Sequence, residues 1–168
     1  MKSIKIVGKN SIDKFKKEKK RTQVSTWKYP ELCLKKENHI IFLNQLYLNK
    51  NFDGMNDVRN EIKKKISSYV QQDKNRDIFN TKKIINFDQC LEKLVLSKLK
   101  CYYCRSEMLL MYEDKRESRQ WTLDRLDNNI GHNKNNVVIC CLECNLKKRR
   151  MDDHKFKFTK QLNIIKGF

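Results

Sequence analysis

The chain has 168 residues, enough for one domain with a modest core. Its 38 Lys and Arg residues against 20 acidic residues give a formal net charge of +18, which favours a polyanionic partner. The sequence contains neither an 18-residue apolar run nor a signal peptide, which disfavours a membrane-spanning or secreted protein. We expect an intracellular location, in the cytoplasm or nucleus of a host cell.

The N-terminal residues 1–29 are strongly basic and offer few apolar side chains to a core. This composition predicts a flexible arm. The arm either has no task, binds DNA non-specifically or directs nuclear import. The chain's only proline, Pro30, marks its boundary.

Residues 30–99 predict a helical region. Apolar residues recur there at a spacing of mostly three or four, as on one face of a helix: Val58, Ile62, Ile66, Tyr69 and Val70. A further helix, capped by Asn86 or Asp88, leads towards Cys101. We expect this layer to act as a scaffold, with DNA contacts by its lysines as the alternative.

The sequence of residues 100–168 predicts a compact mixture of strands and helices. A short strand is expected at 108–112, and two strands of a hairpin at 121–126 and 136–141, joined by an Asn- and Gly-rich connection. Helices are expected at 142–151 and 154–166. The fold class is therefore α+β, with a helical N-terminal layer, a module at 100–152 and a C-terminal basic helix at 153–168.

Four of the seven cysteines form two Cys-x-x-Cys pairs, with 36 residues between them. This spacing is typical of a tetrahedral zinc site, whose ligands would be Cys101, Cys104, Cys141 and Cys144. Four protein ligands leave no open position, so we expect Zn²⁺ to be structural. Cys33, Cys90 and Cys140 are predicted to be small buried residues of the core.

Between the two pairs lie side chains suited to phosphodiester hydrolysis. Asp124 and Asn145 offer the oxygen ligands that Mg²⁺ or Mn²⁺ prefers. Arg125 can hold a phosphate through several donors, and His132 titrates near neutrality and can accept a proton from water. Asp127 is expected to cap the turn that follows it. The other two histidines, His39 and His154, are expected at the surface.

This arrangement resembles the HNH endonucleases, which have a ββα-metal fold. The resemblance covers residues 101 to about 150 and is strongest to free-standing members from phages and large DNA viruses. It rests on the two cysteine pairs, the segment from Asp124 to His132, and Asn136 and Asn145. It implies that Asp124 and Asn145 bind the catalytic metal and that Asn136 orients the general base by hydrogen bonding.

The chain departs from the family at Arg125, where most members place a histidine base. Arginine is too weak an acid to serve as a base at any working pH. In some nucleases of the family a residue seven positions after this arginine takes over, and His132 stands there. The alternative is an ordinary loop histidine in a catalytically inactive, zinc-stabilised DNA-binding module.

The expected partner is double-stranded DNA, although an RNA substrate stays open because the site chemistry recognises a phosphodiester. Basic residues on the helix that carries Asn145 are expected to contact DNA phosphates: Lys147, Lys148, Arg149 and Arg150. With one active site per chain, a monomer would nick DNA and a homodimer could cut both strands.

Overall fold

The computed structural model describes residues 29–162. The predicted arm, apart from Tyr29, and the last residues of the predicted C-terminal helix lie outside the described residues. Within residues 29–162 the protein combines helices with one two-stranded sheet, so the α+β class is confirmed.

Helices come first along the chain, and a hairpin with two further helices follows. The helices are α1 (Glu31–Leu34), α2 (Lys36–Tyr47), α3 (Met55–Lys74), α4 (Phe87–Ser97), α5 (Leu142–Lys148) and α6 (Asp153–Gln161), and the strands are β1 (Trp121–Arg125) and β2 (Val137–Cys141). Of the two predicted caps, Asn86 is the N-cap of α4, and Asp88 lies in the first turn of the helix. The Asn86 side chain accepts a hydrogen bond from the Gln89 backbone N–H, and the Gln89 side chain accepts one from the Asn86 backbone, which makes a capping box.

The predicted hairpin is confirmed. Strands β1 and β2 pair antiparallel, with Trp121 opposite Cys141 and Asp124 opposite Val138. A single 3₁₀ turn, Lys134–Asn136, leads into β2 and moves its first residue one position beyond the expected start. The pairing places Asp124 next to the hairpin loop, one residue before β1 ends.

The prediction of a strand at 108–112 is wrong. These residues make no strand in the described chain, and Leu109 forms only an isolated bridge with Gln120. Met108, Leu110 and Met111 are buried in the core. A short apolar run can be buried in a core without pairing in a sheet. The apolar composition of residues 108–112 therefore reflects their burial and not strand pairing.

One hydrophobic core joins the helical layer to the hairpin. It extends from Cys33 to Phe156 and is centred on large, fully buried side chains such as Trp121 and Tyr103. The buried positions of Cys33, Cys90 and Cys140 confirm the prediction for the three remaining cysteines. The core therefore fixes α3 and α4 against the hairpin.

The surface position expected for His39 is wrong. Its side chain is buried: Nε2 lies 3.0 Å from the Cys33 carbonyl oxygen, and Nδ1 accepts a hydrogen bond of 3.2 Å from the Leu110 backbone N–H. These contacts satisfy both ring nitrogens. The histidine thus ties α2 to the segment that precedes the hairpin.

No helix among residues 29–162 has both the length and the apolar character needed to cross a membrane.

Candidate functional site

The four predicted cysteines form a cluster. The sulfurs of Cys101, Cys104, Cys141 and Cys144 all lie within 4.8 Å of one another, and those of Cys104 and Cys141 are 3.9 Å apart. Tetrahedral zinc bound to four thiolates places its sulfurs about 3.8 Å apart, as follows from a zinc–sulfur bond of about 2.3 Å. The cluster is therefore close to the dimensions that a single metal ion such as zinc requires.

The backbone around the cluster supports the same conclusion. The Cys141 N–H donates to the Cys101 sulfur and the Cys144 N–H donates to the Cys141 sulfur, each at 3.4 Å. A hydrogen bond from the Cys141 thiol lowers the pKa of Cys101 to about 5, whereas burial and the nearby Cys101 raise the pKa of Cys144 to about 12. Four thiolates cannot coexist at this distance without a cation to offset their repulsion.

Beside the cluster lies an open cleft of about 1480 Å³, bounded by the end of α3, the hairpin loop and α5. Its lining includes six of the residues singled out from the sequence: Asp124, Arg125, His132, Asn145, Arg149 and Arg150. The fold therefore brings these residues together around one cleft.

Asp124 is buried at the base of the cleft, and one of its oxygens is already engaged. Oδ2 accepts a hydrogen bond of 2.5 Å from the Tyr103 hydroxyl and lies 3.0 Å from Nζ of Lys148. Oδ1 makes no hydrogen bond within residues 29–162. The carboxylate is thus fixed in orientation and keeps one oxygen for a further ligand.

Asn145 is held in a similar way. It follows Cys144 on α5, and its Nδ2 donates to Oγ1 of Thr122 at 3.0 Å and to the carbonyl oxygen of Leu123 at 3.2 Å. Both donors of the amide are therefore directed at β1, and no described residue donates to Oδ1. Asn145 therefore lines the same cleft as Asp124 and keeps its amide oxygen without a hydrogen-bond donor among residues 29–162.

His132 is buried between the hairpin loop and α3. Its Nδ1 lies 2.7 Å from Oδ1 of Asp73, its backbone N–H donates to Oδ2 of Asp73 at 2.6 Å, and its ring packs 4.5 Å from that of Tyr69. Burial lowers the pKa of His132 below its usual value, and Asp73 opposes this shift. The lowered pKa favours the neutral imidazole, and Nε2 forms no hydrogen bond among the described residues.

Asp73 was missed by the sequence analysis, although a signal was present. It continues the apolar series Ile62, Ile66 and Tyr69 at the same helical spacing, so it occupies the buried face of α3. A carboxylate at such a position needs a partner. That partner, His132, stands 59 residues away.

Asn136 acts on the loop backbone and not on the imidazole. Its Nδ2 donates to the carbonyl oxygens of Asp127, Ile130 and Gly131, and its Oδ1 accepts from the Asp127 N–H at 2.9 Å. The expected hydrogen bond from Asn136 to the base is therefore not seen in the structure. Asn136 fixes the loop that carries His132, and Asp73 contacts the ring.

Arg125 and Asp127 shape the same loop. Nη1 of Arg125 donates to the carbonyl oxygens of Asn128 and Ile130, and burial lowers the pKa of its guanidinium without removing the charge. Asp127 accepts a hydrogen bond of 2.8 Å from the Asn129 N–H, which is the turn cap predicted for it. Arg125 keeps further donors for the cleft.

The basic run at the end of α5 divides between the surface and the interior. Lys147, Arg149 and Arg150 are exposed, and Lys147 forms an ion pair with Glu143. The expectation that Lys148 contacts DNA is wrong: the residue is buried, and its Nζ contacts Asp124 and the Arg125 carbonyl oxygen. Lys148 follows Cys144 by four residues, so it shares the buried face of the helix.

Comparisons with protein-family models, curated proteins and solved structures give no match to the chain.

A cysteine substitution tests the cluster. We expect Cys104→Ser to lose a bound equivalent of zinc and to lower the melting temperature strongly, because structural metal binding contributes directly to folding. Metal content by mass spectrometry and thermal unfolding measure both effects.

Cys90→Ala is the matched control, since it removes a buried thiol outside the cluster. It should keep the metal and lose only the small packing contribution of the sulfur. A Cys104→Ser protein that binds zinc and melts like the wild type would contradict the assignment.

Proposed function

We propose that the chain is a metal-dependent endonuclease of the HNH type that hydrolyses DNA phosphodiester bonds. The observation that carries the proposal is the common cleft lined by Asp124, Arg125, His132 and Asn145. The order of elements around it, β1, β2 and α5 beside a four-cysteine cluster, is compatible with the ββα-metal fold that the sequence resemblance implies. The sequence resemblance and the spatial arrangement therefore point to the same chemistry.

The donor atoms support the proposal of two different metal sites. The four sulfurs suit Zn²⁺ and leave it no open position, so this ion has a structural role. The Oδ1 atoms of Asp124 and Asn145, which accept no hydrogen bond from residues 29–162, suit a hard cation such as Mg²⁺ or Mn²⁺. When bound, that cation would neutralise charge on the scissile phosphate and on the leaving oxygen.

The protein side chains supply the remaining steps. Nε2 of His132 accepts a proton from a water molecule as the water oxygen attacks phosphorus, and one phosphorus–oxygen bond of the backbone breaks. The neutral state of His132 is the one this step requires. The donors of Arg125 that are not bound to the loop hold the phosphate in place.

The exposed arginines at the rim give the duplex its binding surface. Arg149 and Arg150 follow α5, and Arg76 follows α3 on another edge of the same cleft. Contacts from such side chains to phosphates provide affinity without sequence information. The net charge of +18 strengthens the attraction for any nucleic acid.

One observation favours a second candidate, a zinc-stabilised DNA-binding module without catalysis. Lys148 pairs with Asp124, so the carboxylate already has a positive partner. A buried ammonium at this place reduces the negative charge available to a divalent cation. Cleavage in the presence of Mg²⁺ distinguishes the two candidates.

Plasmid cleavage tests the proposed activity. Wild-type protein with supercoiled plasmid and Mg²⁺ should produce nicked DNA, and His132→Ala should cut about 10²–10⁴-fold more slowly, the usual contribution of a general base.

His154→Ala is the control, because His154 is exposed and lies outside the cleft. It should cut at the wild-type rate. Binding of DNA without cleavage by the wild type, with Mn²⁺ also tried, would favour the non-catalytic module, and equal cleavage by His132→Ala would remove the base assignment.

A salt titration tests the binding surface. The double variant Arg149→Gln/Arg150→Gln should bind a DNA duplex more weakly, and the slope of log K against log salt should fall by about 1 for each phosphate that the protein no longer neutralises. Fluorescence anisotropy measures both quantities. Lys50→Gln, which changes an exposed lysine away from the cleft, serves as the single-charge control and should alter neither quantity appreciably. An unchanged slope in the double variant would place the DNA elsewhere.

A further inference from the structure

We infer that Asp73 is a positioning residue for the proposed reaction, which sets the tautomer and orientation of His132. The inference rests on the proposed function of His132 as general base. It assigns a role to a buried carboxylate on α3, outside the hairpin and α5 that supply the rest of the site.

Asp73 contacts His132 at two atoms at once. Its Oδ1 lies 2.7 Å from Nδ1 of the ring, and its Oδ2 accepts the His132 backbone N–H at 2.6 Å. Asp73 is fully buried, so water does not compete for these bonds. A carboxylate has only acceptors, and Nδ1 must therefore carry the ring proton of the neutral histidine. In this tautomer Nε2 is the ring nitrogen that can accept a proton.

The close approach depends on the residue before the histidine. A Cβ atom at Gly131 would lie 2.7 Å from Oδ2 of Asp73 and 2.7 Å from the carbonyl oxygen of Ile78. Any side chain at this position would push the loop away from α3. Glycine thus permits the backbone contact that completes the two-point attachment of His132.

The other groups around the His132 ring show why the Asp73 carboxylate matters for its protonation. Charged groups that act on His132 are Asp73, Arg125 and Asp124, while the Tyr69 ring packs against it without charge. Burial and Arg125 disfavour a protonated ring, and Asp73 is the carboxylate that contacts it directly. When His132 takes a proton from water, Asp73 stabilises the resulting imidazolium.

Asparagine at position 73 would reverse the tautomer. Its single oxygen is needed for the His132 backbone N–H, so the amide nitrogen faces the ring and donates to Nδ1. The neutral ring then carries its proton on Nε2 and has no acceptor for water. The side chain keeps its size, so this change acts on the proton rather than on packing.

The first measurement is the tautomer in the full-length protein. The chain has three histidines, so a two-bond ¹H–¹⁵N spectrum of labelled protein resolves them, and His132→Ala identifies the signal. We expect wild-type His132 to be protonated at Nδ1 in its neutral form. Protonation at Nε2 would overturn the inference, whether or not the Asp73 variant folds.

The second measurement is cleavage by Asp73→Asn. We expect the kcat to fall on the order of 10³-fold with little change in KM, because a histidine base locked in the wrong tautomer cannot accept the proton. Asp77→Asn is the matched control, because it removes an exposed carboxylate four residues later, where a φ of 55° suits asparagine. It should cut like the wild type.

An Asp73→Asn protein with wild-type kcat would overturn the inference. A reduced kcat with the His132 proton moved to Nε2 would support it. A wild-type protein that shows the Nδ1 tautomer but cuts no DNA would contradict the proposed function and confirm the pairing alone, so the two failures are distinguishable.

Discussion

The approach of the four cysteine sulfurs is the interaction on which the cleft depends. It joins the turn that precedes the hairpin to the junction of β2 and α5. Each cysteine pair also carries a residue that acts beyond the cluster. Tyr103 stands between Cys101 and Cys104 and donates to Asp124, and Asn145 follows Cys144 directly. A metal bound by the cysteines would therefore also hold Tyr103 and Asn145 in place, because each is adjacent in sequence to a metal ligand.

The polar side chains of the cleft are held by partners from other elements. Asp124 on β1 is oriented by Tyr103 and Lys148, and His132 on the hairpin loop is oriented by Asp73 on α3. Burying these charges is unfavourable unless each one has a well-placed partner. Because the partners come from separated segments, the complete fold is needed to assemble the cleft, and the folded structure itself then fixes the orientation of these groups.

Local patterns predicted much of this architecture. The hairpin, the Asn86 cap, the paired cysteines and the buried Cys140 follow from spacing, β-branched runs and turn residues within short windows. What the sequence did not reveal depends on pairing across long distances. Asp73 resembles an ordinary polar residue at the end of a helix until its helical face is compared with that of Tyr69. Lys148 resembles a surface lysine because lysine is almost never buried, although its spacing from Cys144 indicates the inner face.

The central claim is that the cleft binds a divalent cation through Asp124 and Asn145, apart from the metal of the cysteine cluster. Titration of zinc-loaded protein with Mn²⁺, followed by electron paramagnetic resonance, tests it most directly. The account predicts one Mn²⁺ per chain in the wild type, no such ion in Asn145→Ala, and wild-type binding in Asn135→Ala, which changes an exposed asparagine outside the cleft. Absence of bound Mn²⁺ in the wild type, or undiminished binding in Asn145→Ala, would contradict it.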